Sequence, residues 1–410
     1  MPPPEGSLSG VDALNGLVEN SVLVVQKLNA YVKDIYRQAN TQCCGRQSTE
    51  IAALSADAWN PPATLNALAL AQDAAVLIRA HATKISLLII NEPFTPSAIS
   101  KVVQEVMGGP VPALSNAAHE CYGDRYTYDF QRELALRCQR VLTQVELLLN
   151  SIPKDGKVLK TDKKEVATKR GTSSVKTNSA VAERGAFTEI GILWTECDSV
   201  VALAKGGVRD RLIQIVGQLA ETLKDELEEL KEWSEEDADD DDDEDDADDD
   251  ANDSDDAAGT SDIASDDHHA STQAMLDDLM DAGRHIPTAD PEGLRPRLEV
   301  TLRKIRMTHL LCTAIVKRRI RSLPTLPTEK PSNIAARLDN AMMVLQELPD
   351  RLGELAAAFY DLSASRVDSH MGQCFEDAFV ASELLVLSWD GKQDTFSDWT
   401  TKFQAEIRKL

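Results

Sequence analysis

Hydrophobic positions in this chain recur at threes and fours along most of its length. Leu14, Val18, Val22, Val25, Leu28, Val32 and Ile35 open the pattern, a spacing that puts all seven on one face of a helix. After an interruption at "CCGRQS", Pro61-Pro62 stand where a helix begins. The stretch that follows, "ATLNALALAQDAAVLIRAHATKISLLII", is apolar almost all round, as a helix central in a bundle is. "NEPFTPS" ends it, because a residue before proline is pushed out of the α region, and Thr95-Pro96 fits an N-cap followed by proline at the first helical position. "SAISKVVQEVM" predicts the next helix, and Gly108-Gly109-Pro110 breaks it. "VPALSNAAHECYG" leads to a longer helix carrying Leu134, Cys138, Val141, Val145 and Leu148 on one stripe.

Periodicity is lost from Lys154 to Arg184, where nine basic and four acidic residues and no aromatics predict a mobile, solvated loop. It resumes with "FTEIGILWTECDSVVALA", is interrupted at Gly206-Gly207, and continues through Leu212, Val216, Leu219, Leu223, Leu227 and Leu230. This last stripe contains Gly217 and is too short for a free coiled coil, so it reads as facing a bundle. Beyond Pro291 comes a long basic helical stretch, "LRPRLEVTLRKIRMTHLLCTAIVKRRIRSL", whose Ile305, Leu310, Leu311, Ile315 and Val316 read as its inward face. After "PTLPTEKPS", apolar residues from Ile334 to Leu362, including Leu345, Leu352, Leu355 and Phe359, repeat at helical spacing with a bend expected at Pro349. "DSHMGQCFEDAFVASELLVLSW" and "FSDWTTKFQAEIRKL" supply two final helices. Alternating runs bounded by turn signals are missing. The expectation is an all-α protein of two bundles of long antiparallel helices joined by a disordered acidic segment. An N-terminal bundle spans 1–233, with a mobile basic loop at 152–184. The acidic linker spans 234–285, and C-terminal helices at 286–410 complete the second bundle.

Charge sharpens this division. The formal net charge is −25, yet 23 acids and no Lys or Arg lie between Glu235 and Asp281, which leaves about −2 for the rest. A nearly neutral body argues against a general nucleic-acid surface, which needs clustered Lys and Arg. The acidic run has three readings: a self-repelling tether, a dock for basic proteins such as histones or for the basic helix around Arg303 to Arg321, and a kinase-read element. In the third, Ser234 is followed by acid at each of the next three positions, and a phosphate there would sit unfavourably at a helix C-terminus. Seven cysteines, without CxxC spacing, read as small buried apolar residues of a reducing compartment. "MPPPEGSLSG" shows no secretory signal, and "ISLLII" is too short to span a bilayer. The resulting expectation is a cytoplasmic and nuclear protein; "KTDKKEVATKR" reads as an ordinary charged loop or a weak nuclear-import signal.

Catalytic patterns are missing: no P-loop, GxGxxG, HExxH, GxSxG or EF-hand spacing occurs. His268-His269, set among acids, lacks the fixed geometry of a metal site, and His119-Glu120-Cys121 point in different directions on a helix. The expectation is a non-enzyme without cofactor or metal, and without a direct nucleic-acid or membrane partner.

Two stretches carry a family likeness. "ATKISLLIINEPFTPSAI", Ala82 to Ile99, and "AFTEIGILWTECDSV", Ala186 to Val200 with Trp194 and Cys197, resemble the cyclin-D-interacting (GCIP) family. The order of helices, Trp helix, acidic interruption and C-terminal helices is similar, and "ARLDNAMMVLQELPDRLGELAAAFYD" resembles a later stretch of the family. The longer basic loop and denser acidic run depart from it. The resemblance implies a non-catalytic adaptor that binds cyclins or helix-loop-helix regulators and restrains cell-cycle entry and transcription. On that reading, partner helices lie in grooves between amphipathic helices, and the candidate contact residues are Leu212, Val216, Leu219, Leu223, Leu345, Leu352, Leu355 and Phe359. The alternative is an acidic chaperone for histones or other basic proteins, working through Glu235 to Asp256.

Overall fold

The computed structural model describes residues 5–44, 66–159, 179–235, 286, 290–328 and 332–409, with the side chains of 5–9, 43–44 and 179–189 left aside. Among the described residues the fold is all-α, as the periodicity predicts. In chain order the helices are α1 (Glu5–Cys44), α2 (Ala67–Ile90), α3 (Pro96–Gly108), α4 (Pro110–Glu120), α5 (Gly123–Tyr126), α6 (Tyr128–Asn150) and α7 (Ser179–Glu235). They continue as α8 (Leu294–Ile315), running into a π-helical turn (Val316–Ile320), then α9 (Ile334–Tyr360), α10 (Ala364–Leu384) and α11 (Thr395–Ile407). Pro61-Pro62, residues 160–178 of the basic loop, and the acidic run beyond Glu235 lie outside the described residues.

Local chemistry explains most helix ends. The Asn66 side chain accepts from the Leu68 and Ala69 amides, 3.1 Å each, and caps α2. Thr95 precedes Pro96 at the start of α3 as expected, but its hydroxyl makes no cap bond and donates instead to the Pro93 carbonyl at 3.1 Å. Gly108-Gly109-Pro110 separates α3 from α4. Gly207 interrupts α7 with φ 63° and ψ −165°, a conformation open essentially to glycine alone, so the helix kinks there and continues.

The chain divides into two compact units: Met1–Leu212 with Pro324–Asn340, and Ile213–Leu323 with Ala341–Leu410. In the first, α1 lies along α6, and α2 packs on α3 and α4. The core includes Leu14, Val25, Val32, Ile78, Ile85, Leu134 and Val141. Polar bonds fix the first share of α7 to α6. Arg211 Nε reaches the buried Asp129 carboxylate at 3.3 Å, and Arg137 donates to Glu133 and to the Ser199 carbonyl, 2.7 Å each. Asp339, within the part of α9 that belongs to this unit, receives the Tyr128 amide at 3.0 Å and so satisfies a donor in the first turn of α6.

In the second unit, α8 packs against α10 and α11. The lock is Arg319, 1% exposed on the π turn. Its guanidinium donates to both Asp394 oxygens at 2.7 and 2.9 Å and to the Leu385 and Val386 carbonyls at 2.7 Å each. It also lies over the Phe396 ring, 4.3 Å from the centroid. Asp394 at the same time caps α11 in a capping box with Ser397. One arginine thus joins the end of α8, the end of α10 and the start of α11.

Candidate protein-interaction site

The structure places the eight candidate contact residues in the core. Leu212 is buried in the first unit; Val216, Leu219, Leu223, Leu345, Leu352, Leu355 and Phe359 are buried in the second. The ends of α7 and α9 meet there: Trp233 stands 6.5 Å from Phe359 and edge-on to Tyr360 at 5.3 Å, and the Tyr360 hydroxyl donates to Glu229 at 3.0 Å. Burial first, then the Glu229 bond, raise the Tyr360 phenol well above its ordinary range. The ends of the two stripes lie side by side, and all eight side chains are closed off from solvent. Ser234 is half-buried in the last turn of α7, its hydroxyl donating to the Lys231 carbonyl at 2.7 Å. The acids beyond Glu235 that would direct a kinase to it lie outside the described residues.

Accessible apolar surface lies elsewhere. In the first unit a groove of about 270 Å³ opens between α1 and the end of α6, with Val18, Val22, Leu149 and Ile152 on its floor. Leu23, on its α1 wall, is 56% exposed. The rim is polar: the Asn15 amide donates to the Lys154 carbonyl at 3.1 Å, Lys154 pairs with Glu19 at 3.5 Å, and Gln26 donates to Glu146 at 2.7 Å. The strand of chain that closes this end turns at Gly156, whose φ is 72° and whose missing Cβ would lie 2.9 Å from Val11, so glycine is required twice over. Leu23 falls next to the buried stripe of α1 rather than on it, and the helical period alone points it outward. Only the neighbouring α6 turns it into a groove wall.

Among the described residues, no group of three or more His, Cys, Asp or Glu is placed to hold a metal ion. Cys121, Cys138, Cys197, Cys312 and Cys374 are free and buried, and burial pushes the Cys138 thiol up to about 12, away from the thiolate. The cavity between α1 and α6 is smaller than the roughly 300–1,000 Å³ of small-molecule sites. No described helix is long and apolar enough to cross a membrane.

The first unit thus presents an apolar groove with a polar rim on an all-α scaffold. The family model described as "Grap2 and cyclin-D-interacting, N-terminal" matches residues 71–236, from the first turns of α2 to the end of α7. That part of the chain is similar to this family. The match takes in the two stretches at 82–99 and 186–200. In the structure, Trp194 in the second of them carries the Arg79 guanidinium 5.9 Å from its ring centroid, while Arg79 pairs with Asp198 at 2.9 Å. The helix that carries Trp194 is therefore held to α2. The stretch at 336–361 lies beyond the match. No curated protein matches the chain.

Proposed function

We propose that this chain is a non-catalytic adaptor that binds a cyclin or a helix-loop-helix regulator and so restrains cell-cycle progression or transcription. The observation that carries the reading is the match of residues 71–236 to a family described as cyclin-D-interacting. The surface that suits it is the groove between α1 and the end of α6. An amphipathic helix lays apolar side chains at i, i+3, i+4 and i+7 along such a floor, and its polar face meets Asn15, Glu19, Gln26 and Lys154. The partner's apolar residues supply most of the free energy, about 1.5–3 kcal/mol for each large side chain removed from water.

Titration calorimetry of the full chain with a purified D-type cyclin tests this reading. Leu23→Asp places a charge on the groove wall and is expected to weaken binding at least tenfold, about 1.4 kcal/mol. Leu23 is exposed, so the variant should keep the wild-type circular dichroism. Wild-type affinity in that variant removes the groove from the proposal, and no heat with either a cyclin or a helix-loop-helix domain removes the partner class.

A further inference from the structure

A second surface, on the other unit, carries its own chemistry. Between Val300 and Thr328 the chain has seven Lys or Arg and no Asp or Glu. Two of the seven are spent internally: Arg319 in the lock, and Lys304, buried with its ammonium 5.5 Å from the Phe375 ring centroid. The other five, Arg303, Arg306, Lys317, Arg318 and Arg321, are exposed at intervals that keep them on the outward side of α8 and its π turn. None of the five forms an ion pair with another described residue, and Arg318 donates to the Thr395 hydroxyl at 2.9 Å.

In the middle of this basic strip lies an apolar notch of about 220 Å³, formed by Leu310, Thr313, Ala314, Lys317, Arg318 and Trp399. Leu310, expected on the inward face, is 55% exposed, although Ile305, Leu311 and Ile315 are buried as predicted. It shares its helix face with Arg306, Ala314 and Lys317 instead, three or four residues apart, and a leucine on a charged outward face is covered by nothing in this unit. Trp399, half-exposed, stacks at 5.7 Å between Phe396 and Phe403, so its ring is held fixed as the far wall. Lys317 and Arg318 stand where they do because the π turn widens the helix, sending Arg319 and Ile320 inward and the two residues before them out.

We infer that this face binds an acidic amphipathic segment of a partner protein, one bulky apolar side chain entering the notch while flanking carboxylates meet Arg303, Arg306, Lys317 and Arg321. The cations alone would suit any polyanion. The notch selects among them, because a phosphate backbone brings nothing to fill a pocket walled by leucine, alanine and indole, and 220 Å³ suits one side chain rather than a drug-sized ligand. This surface lies outside residues 71–236 and is independent of the groove proposed above.

The test is fluorescence anisotropy of the full chain with three labelled probes of equal charge: a helical peptide of glutamates and leucines, a polyglutamate, and a single-stranded oligonucleotide. The glutamate–leucine peptide should bind best, by about tenfold over polyglutamate, and weaken as salt rises. Lys317→Glu with Arg321→Glu should weaken it at least tenfold, whereas Lys317→Arg should keep it. Trp399→Ala should abolish the preference over polyglutamate; its fold is checked by circular dichroism, and Leu310→Ser, an exposed change, gives the same readout without touching the aromatic stack. Equal binding of peptide and polyglutamate, tighter binding of the oligonucleotide, or indifference to the charge reversals overturns the inference. So does a gain of tenfold or more on deleting residues 235–281, which would mean that the chain's own acidic run, rather than a partner, fills the site.

Discussion

At the scale of single residues, the second unit turns on Arg319 and Asp394. Arg319 is fully enclosed, whereas the Asp394 side chain keeps 39% of its surface in water. Losing the carboxylate is therefore worse than losing the guanidinium, because Asp394→Ala strands a buried charge and removes the cap of α11. Such a loss costs about 3–5 kcal/mol, and chemical denaturation followed by tryptophan fluorescence should show it in the unfolding of this unit. The hydrogen bonds from Arg319 are the first reason that the Asp394 carboxyl is held well below the usual carboxylate range. A carboxylate depressed in the folded state stabilises fully above its unfolded pKa of about 3.9, and that contribution fades as pH falls towards the folded value. Acid titration should thus show a loss below about pH 4 that is missing from Asp394→Asn. Asp394 immediately precedes the last helix, off its apolar stripe, and has no periodic partner in sequence, so nothing in the pattern pairs it with Arg319, 75 residues earlier.

At the scale of elements, the stripes were legible and their targets were not. Leu212 to Leu230 on α7 and Ile334 to Phe359 on α9 are apolar faces, as their spacing predicts, yet an apolar face does not say whether it meets its own chain or a partner. Burial answers that: Leu223, Leu345 and Phe359 have no accessible surface. Leu223→Ala should cost about 2–5 kcal/mol of stability by leaving a cavity, and thermal unfolding would register it. Cyclin affinity of the variant, measured well below its melting temperature, should stay at the wild-type value; a selective loss of affinity would return α7 to the list of contact surfaces. The outward leucines show the converse. Leu23 and Leu310 lie just off a buried stripe, where the helical period leaves a residue exposed, and each becomes part of a site only because another helix stands beside it. The π turn at Val316–Ile320 has no sequence signature, since it reflects how α8 must widen to seat Arg319 between two carbonyls and a carboxylate.

At the scale of the whole molecule, the acidic run dominates the charge while the folded units are close to neutral. On the adaptor reading, deleting Glu235–Asp256 leaves both units folded and changes cyclin affinity by no more than about twofold, as removal of charge that is no part of an interface does. Loss of cyclin binding with an unchanged circular dichroism spectrum would make the run part of the binding surface instead. The chaperone reading predicts the opposite pattern, histone binding that disappears with the deletion and at high salt. The partition of the packed residues falls between Leu212 and Ile213 within α7 and between Asn340 and Ala341 within α9, so two helices each serve both units.

The sequence by itself determined the all-α class and the breaks at Pro96, Gly108-Gly109-Pro110 and Gly207, because helix periodicity, prolines and glycines act within a few residues of one another. It also determined which faces are apolar. Tertiary structure alone decided which of those faces are closed, since burial depends on neighbours far apart in the chain. It alone brought Arg319 to Asp394, and set Val18, Val22 and Leu23 against Leu149 and Ile152. Local spacing fixes the direction in which a side chain points; only packing fixes what it finds there.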